Sequence, residues 1–210
     1  MPHRARRSRR TASNTATPPL RPSSHGRGPQ SCRRLDTLDD MSLRIRPAVA
    51  EDAAGIEQIE EAADQLLVAL FRATDWPAPD AAAERLALPG YLLLAEYEGT
   101  PAGFVHVLDL DGHAHLEQVS VLPRYARRGI GRILVRAAME EAARRGHDDM
   151  TLRTYADVPW NAPFYASCGF SETEPDSEAL RSLVAVEEQL GLLEYGRRVQ
   201  MTASLTGSVI

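Results

Sequence analysis

Three stretches of the chain combine residue types that could do chemistry. The first is Val119-Ser-Val-Leu-Pro-Arg-Tyr-Ala-Arg-Arg-Gly-Ile-Gly-Arg-Ile-Leu134, where a strand pattern ends at Pro123, a basic loop follows, and Gly129-Ile130-Gly131 opens a helix pattern. Glycines let a backbone approach a ligand closely, and the start of a helix offers unpaired N–H groups at its positive dipole end. With Arg127, Arg128 and Arg132 alongside, the chemistry such a turn suits is binding of a pyrophosphate. The second stretch is His113-Ala-His-Leu-Glu117, whose side chains at every second position share a strand face. Glu117 is a candidate base there, against a plain solvated carboxylate. A metal site on His113, His115 and Glu117 lacks a fourth ligand, so no metal is expected and two exposed histidines are the simpler reading. The third is Asn161-Ala-Pro-Phe-Tyr-Ala-Ser-Cys-Gly-Phe170, with Phe164 and Tyr165 on a short helical segment and Cys168 as a packing residue at its end.

The glycine turn fits neither of two familiar phosphate fingerprints. G-x-x-x-x-G-K-[ST] needs a lysine, and all 24 basic residues of this chain are arginine. G-x-G-x-x-G needs a third glycine where Leu134 stands.

The elements that must position these residues follow from periodicity. Leu43–Pro47 alternates and ends at proline as an edge-like strand. Ala50–Phe71 is apolar at helical spacing, and Asp80–Leu88 is a shorter helical candidate. Gly90–Glu96 and Ala102–Leu110 are strands joined by a Gly/Pro connection. Asp111-Gly112 is a two-residue hairpin signal into a strand over about His113–Leu122. A long helix then runs from Gly129 to Arg145, with Gly146 as its stop. Met150–Thr154 is a strand, Asn161–Cys168 a short helix, Phe170–Glu174 a strand, Glu178–Leu193 a helix, and Arg198–Leu205 the last strand. The order is that of a mixed α/β domain with an antiparallel central meander.

In that order, Val121-Leu-Pro123 with Ala126-Arg-Arg-Gly-Ile-Gly131, and Asn161 to Phe170 after the fifth strand, resemble the two signature elements of the GNAT superfamily of acyl-CoA-dependent N-acetyltransferases. Ala126 departs from the Gln or Arg usual in the first. The resemblance spans residues 43–205. It implies an α/β (α+β) fold with a mainly antiparallel sheet of about seven strands and flanking helices, splayed between strands four and five with acetyl-CoA as co-substrate in the cleft. It implies that the Val119, Ser120 and Val121 backbone pairs with the pantetheine arm and that N–H groups from Arg128 through Gly129, Ile130 and Gly131 to Arg132 hold the pyrophosphate, aided by Arg127. Asn161 and Phe164 would contact the cofactor from the other side. Tyr165 would be the general acid and Glu117 the base. The helix over Glu178–Leu193 reads as an embellishment on the common core.

Composition bounds the rest. The 210 residues are 43% hydrophobic and 25% charged, as in an ordinary globular domain. No apolar run is long enough to span a bilayer. Two cysteines make a disulfide framework a poor fit, and a cytoplasmic setting is expected. Residues 1–40 hold nine Arg and three Asp and lack apolar periodicity, so they read as a disordered leader, with residues 41–210 as the catalytic domain. That domain carries a net charge of −11, which favours a cationic acceptor. The acceptor expected is a small-molecule or peptide amine. No membrane or nucleic-acid partner is expected, although the arginine-rich leader could in principle bind nucleic acid. A homodimer is left open, as is a second function class, a non-catalytic acyl-CoA-binding module.

Overall fold

Two hairpin turns organise the front of the sheet, and both place two successive residues at positive φ. Glu98-Gly99 stands at 50° and 74°, and Asp111-Gly112 at 51° and 90°. This mirror-image turn matches the twist of paired strands, and so joins neighbours with no spare residue. The computed structural model describes residues 42–78 and 81–206. The leader expected over residues 1–40 lies outside the described residues, as does Asp80.

The strands are β1 (Leu43–Pro47), β2 (Gly90–Tyr97), β3 (Thr100–Leu110), β4 (His113–Val121), β5 (Asp149–Tyr155), β6 (Ser171–Thr173) and β7 (Arg198–Ser204). The helices are α1 (Ala53–Phe71), α2 (Ala82–Ala87), α3 (Ile130–Arg144), α4 (Ala162–Ala166) and α5 (Glu178–Gln189). One sheet in the order β1-β2-β3-β4-β5-β7-β6 results, antiparallel throughout except for the parallel β4–β5 pair. The mixed, mainly antiparallel seven-stranded sheet expected from the sequence is therefore present. Two details differ. β3 begins earlier than read and includes Pro101, which sits opposite Glu96 where the β2–β3 register shifts. A proline cannot donate to a ladder and is tolerated at such a bulge. The last long helix stops at Gln189, because Gly191 turns left-handed at φ 69° and a separate 3-10 turn over Leu192–Tyr195 follows.

Each face of the sheet is closed by a helix. α3 buries Ile130, Leu134, Val135, Ala138 and Ala142 against Ala114, Leu116, Met150, Leu152 and Met201. On the opposite face α1 buries Ile56 and Ile59 against Leu92, Leu94 and Phe104. The second core is fastened by a buried ion pair between α1 and α2, with Arg85 Nη2 2.8 Å from Glu60 Oε1.

Candidate functional site

The central opening of the sheet comes from a single extra residue. Across β3–β4, Val107 pairs with Leu116 but His106 pairs with Gln118, so Glu117 is bulged out of the ladder. A bulge bends its strand. On the other side β4 pairs with β5 for only three residues, Ala114↔Met150 to Leu116↔Leu152. Past Leu116 the edge of β4 from Gln118 to Val121 pairs with no strand on that side among the described residues. The splay expected between strands four and five is this fork. Val119 and Val121 lean on the α3 core. The Ser120 side chain is buried on the opposite face and accepts from Gln118 Nε2 at 2.9 Å, which leaves its backbone as the part available to a cofactor.

The open edge runs into the glycine turn. Arg127 takes the left-handed conformation at φ 62° and Gly129 takes it at φ 80° as N-cap of α3. No side chain caps this helix, so its first N–H groups, at Ile130, Gly131 and Arg132, are offered to whatever lies in front. The Ile130 side chain points into the core and only its backbone faces the turn. Arg128 lies over the rings of Tyr97 and Tyr125, its Cζ 5.3 and 5.8 Å from their centroids. Arg127 is exposed and makes no hydrogen bond or ion pair among the described residues. Arg132 behaves differently from the expectation that it simply adds charge. Its Nη1 donates to the Ser167 carbonyl at 2.6 Å and its Nη2 to Ser167 Oγ at 2.8 Å, a clasp from α3 to the end of α4.

That clasp brings the two sequence elements together. Phe164 Cζ lies 3.5 Å from where a Cβ on Gly131 would stand, and Val121 Cγ2 lies 3.9 Å from it. Asn161 precedes α4 as its N-cap and its carbonyl accepts from the Tyr165 N–H at 3.0 Å. Tyr165 packs edge-on against Phe164 and Phe170, at 5.1 and 5.9 Å between ring centroids. Two other half-buried or buried tyrosines use their hydroxyls structurally: Tyr91 donates to the Ala138 carbonyl at 2.6 Å and Tyr155 to the Leu192 carbonyl at 3.0 Å. The Tyr165 hydroxyl has no such bond among the described residues. Burial, reinforced by Cys168, raises its pKa above the ordinary phenol value, so the group stays protonated. Cys168 is half-buried; burial raises its thiol pKa, in keeping with packing and not with a nucleophile.

The histidines correct the sequence reading. His115 is 2% exposed, not a solvent-facing strand residue, and its Nδ1 hydrogen-bonds Thr151 Oγ1 at 2.8 Å. His106 is also buried. Burial, and next the positive charge of Arg153, pull the His115 pKa down to about 4, so its ring is neutral. Its Nε2 stands 3.6 Å from Glu117 Oε2, which remains 43% exposed at the fork. No group of three or more His, Cys, Asp or Glu among the described residues is placed to hold a metal.

One charged cluster on this face was not singled out from sequence. Glu187 of α5 receives Arg153 of β5 at 2.7 Å and Arg198 of β7, with all three side chains largely buried. The signal for it was an arginine inside the short strand that holds Met150 and Leu152.

Residues 56–170 match the acetyltransferase (GNAT) family. The chain belongs to that family. Mycothiol acetyltransferase of Clavibacter sepedonicus is 30% identical over 164 residues, 67% of this chain and 54% of that protein. The chain thus spans about half the length of this curated relative. Among solved structures, the PaiA N-acetyltransferase of Thermoplasma acidophilum in complex with coenzyme A superposes with a TM-score of 0.58 at 17% identity, over 78% of this chain and 99% of that one. YncA of Salmonella typhimurium with acetyl-CoA gives 0.57 at 21% identity, over 80% of this chain and 97% of that one. At these identities the likeness is one of fold. No helix among the described residues is long and apolar enough to cross a membrane.

Proposed function

We propose that this GNAT chain moves an acetyl group from acetyl-CoA to a primary amine of a small molecule or peptide, by direct attack in a ternary complex. The observation that carries the reading is the free β4 edge running into the uncapped start of α3. An edge strand binds an extended amide-bearing chain through its own N–H and C=O groups. The pantetheine arm, with its two amides, is such a chain, and Val119 to Val121 would pair with it. The pyrophosphate would then meet the N–H groups of Gly129 to Arg132, with Arg127 and Arg128 neutralising charge. The space at Gly131 fits this guest, since a Cβ there would project toward Phe164 and Val121 and narrow the passage. Phe164 and Asn161 would flank the cofactor from the α4 side.

This route ends with the thioester at the fork, between Glu117 and Tyr165. Glu117 takes a proton from the acceptor ammonium, and the free amine attacks the thioester carbon. A C–N bond forms, the bonded nitrogen gives up its second proton to solvent, the C–S bond breaks, and the Tyr165 hydroxyl protonates the departing thiolate. Solvent returns the proton to the phenolate. The test is thiol release from acetyl-CoA across a broad amine panel, alongside calorimetry of acetyl-CoA binding. Amine-dependent release supports transfer. Tight binding with no release for any amine would move the chain to the non-catalytic acyl-CoA-binding class.

A further inference from the structure

Beyond the reaction type, we propose that the acceptor carries a carboxylate close to its reacting amine, and that the Arg153–Glu187–Arg198 cluster binds that carboxylate. The inference rests on the preceding reading of the fork as the place of transfer.

Position comes first. The β4–β5 ladder ends at Leu116↔Leu152, so Glu117 and Arg153 are the next residues of the two strands, at the mouth of the opening. His115 and Thr151, hydrogen-bonded one pair earlier, share that face. The proposed base and Arg153 therefore stand on opposite lips of one gap. The charge of Arg198 bears on both His115 and Tyr165, which ties the cluster to both sides of the fork.

Charge comes next. Both oxygens of the Glu187 carboxylate are already engaged. Oε2 accepts from Arg153 Nε at 2.8 Å and Oε1 from Arg198 Nε at 3.1 Å. The other carboxylate at this gap, Glu117, is 43% exposed and faces the acceptor's ammonium in the proposed reaction, and within the cluster two guanidinium groups share one carboxylate. The side chains concerned are only 8%, 9% and 13% exposed. The Nη1 groups of Arg153 and Arg198 have no partner among the described residues, and neither is a sealed, orphaned atom. Holding two guanidinium groups on one carboxylate in a poorly solvated place is costly, and one arginine would have sufficed to pin Glu187 and α5 to the sheet. An arriving carboxylate removes the cost, and the planar guanidinium fork suits it.

The acidity of the whole domain points the other way, toward a cationic acceptor. Distant surface charges are screened beyond about 8–10 Å at physiological salt, whereas a partly buried cluster is screened far less. The local charge therefore decides at contact, and the acceptor that satisfies both lips carries an ammonium for Glu117 and a carboxylate for Arg153, as a short amino acid does.

The test compares each of several α-, β- and γ-amino acids with its own carboxamide. On the wild-type protein, kcat/KM for the acid should exceed that for the amide on the order of tenfold to a hundredfold, the span of one charge-assisted contact. Equal rates, or faster amides, overturn the proposal while leaving acetyl transfer standing. A second readout needs no turnover: with coenzyme A bound, calorimetry should show N-acetylated acids binding more tightly than N-acetylated amides, and equal binding overturns the proposal even if no amine is acetylated. Two variants separate recognition from packing. Arg153→Gln should raise KM for the acids, whereas Glu187→Gln, which removes the competing negative charge, should lower it. Damage to packing alone would raise both, and that result would also overturn the assignment.

Discussion

Phe164 lies against the open side of Gly131, its Cζ 3.5 Å from the site of an absent Cβ, while Gly129 two residues earlier has nothing within 4 Å. The two glycines are therefore required for different reasons. Gly129 holds φ at 80°, which other residues adopt at a cost of roughly 1 kcal/mol or more. Gly131 has no positive φ to defend, and a methyl there makes ordinary contact with the fold. Gly129→Ala should lower thermal stability. Gly131→Ala should leave it unchanged or slightly raised, because alanine favours the helix, and should weaken acetyl-CoA binding by narrowing the passage. Gly131→Asp, which adds a negative charge before the helix start, should abolish binding in a protein that still unfolds cooperatively. Calorimetry on the three variants checks this, and unchanged affinity in Gly131→Asp would remove the pyrophosphate from this turn.

Tyr165→Phe keeps the ring that packs on Phe164 and Phe170 and deletes only the hydroxyl. If that hydroxyl protonates the thiolate, acetyl-CoA affinity should hardly move, since the contact matters in the transition state. Single-turnover rates should fall by about 10²–10⁴-fold. Burial raises the phenol pKa above its usual 10, so the wild-type rate should show no loss from Tyr165 ionisation below that pH. A wild-type rate in the variant would hand the proton transfer to solvent.

The fold was legible because its cues are local. Asp111-Gly112 needs only its own two residues to make a turn, and α3 announces itself by a glycine before it and apolar spacing within it. The glycine turn and the Asn161–Phe170 element were each legible in the same way, and only the family resemblance set them side by side. What could not be read depends on partners distant in sequence. The bulge at Glu117 exists only against the register of β3, yet it opens the fork. Arg132 reads as a free cation until Ser167, 35 residues on, accepts from it. His115 reads as exposed because nothing in its own strand reveals Thr151 beneath it or α5 across it. Glu187 sits on a helix that looked like an appendage, and its two arginines come from separate strands.

The Glu60–Arg85 pair makes a stability prediction away from the cleft. Both side chains are buried, at 6% and 8% exposure, and Arg85 Nη1 already lacks a partner. Glu60→Gln would leave the buried guanidinium with no hydrogen-bonded counter-charge and only the Coulombic attraction of Asp64, where breaking a buried pair costs up to about 3–5 kcal/mol. Replacing both residues together with apolar side chains of similar volume, Glu60→Met with Arg85→Met, should cost much less. Chemical denaturation of the single and double variants reads this directly, and a single variant as stable as wild type would show the pair to be solvated.

His115 sets the last expectation, a loss of stability in mild acid. Its folded pKa, about 4, lies below the ordinary 6.5 because burial, and then Arg153, disfavour the imidazolium. A group depressed in this sense binds its proton first in the unfolded chain. Stability is therefore intact above pH 6.5 and is lost as the pH falls from there toward 4. Between pH 7 and pH 5 the loss from this one residue should be roughly 2 kcal/mol, by the conversion of about 1.4 kcal/mol per pKa unit. Glu187 and Asp52, whose pKa values are lowered by arginine partners, act only at lower pH, and the buried His106 and Asp64 are common to wild type and variant, so the comparison isolates His115. His115→Asn retains a side chain able to hydrogen-bond Thr151 and has no titrating group. Urea midpoints at pH 7 and pH 5 should converge in the variant and differ in wild type. Equal pH sensitivity in the two proteins would mean that His115 takes up its proton in place, and that the fork is wetter than its packing indicates.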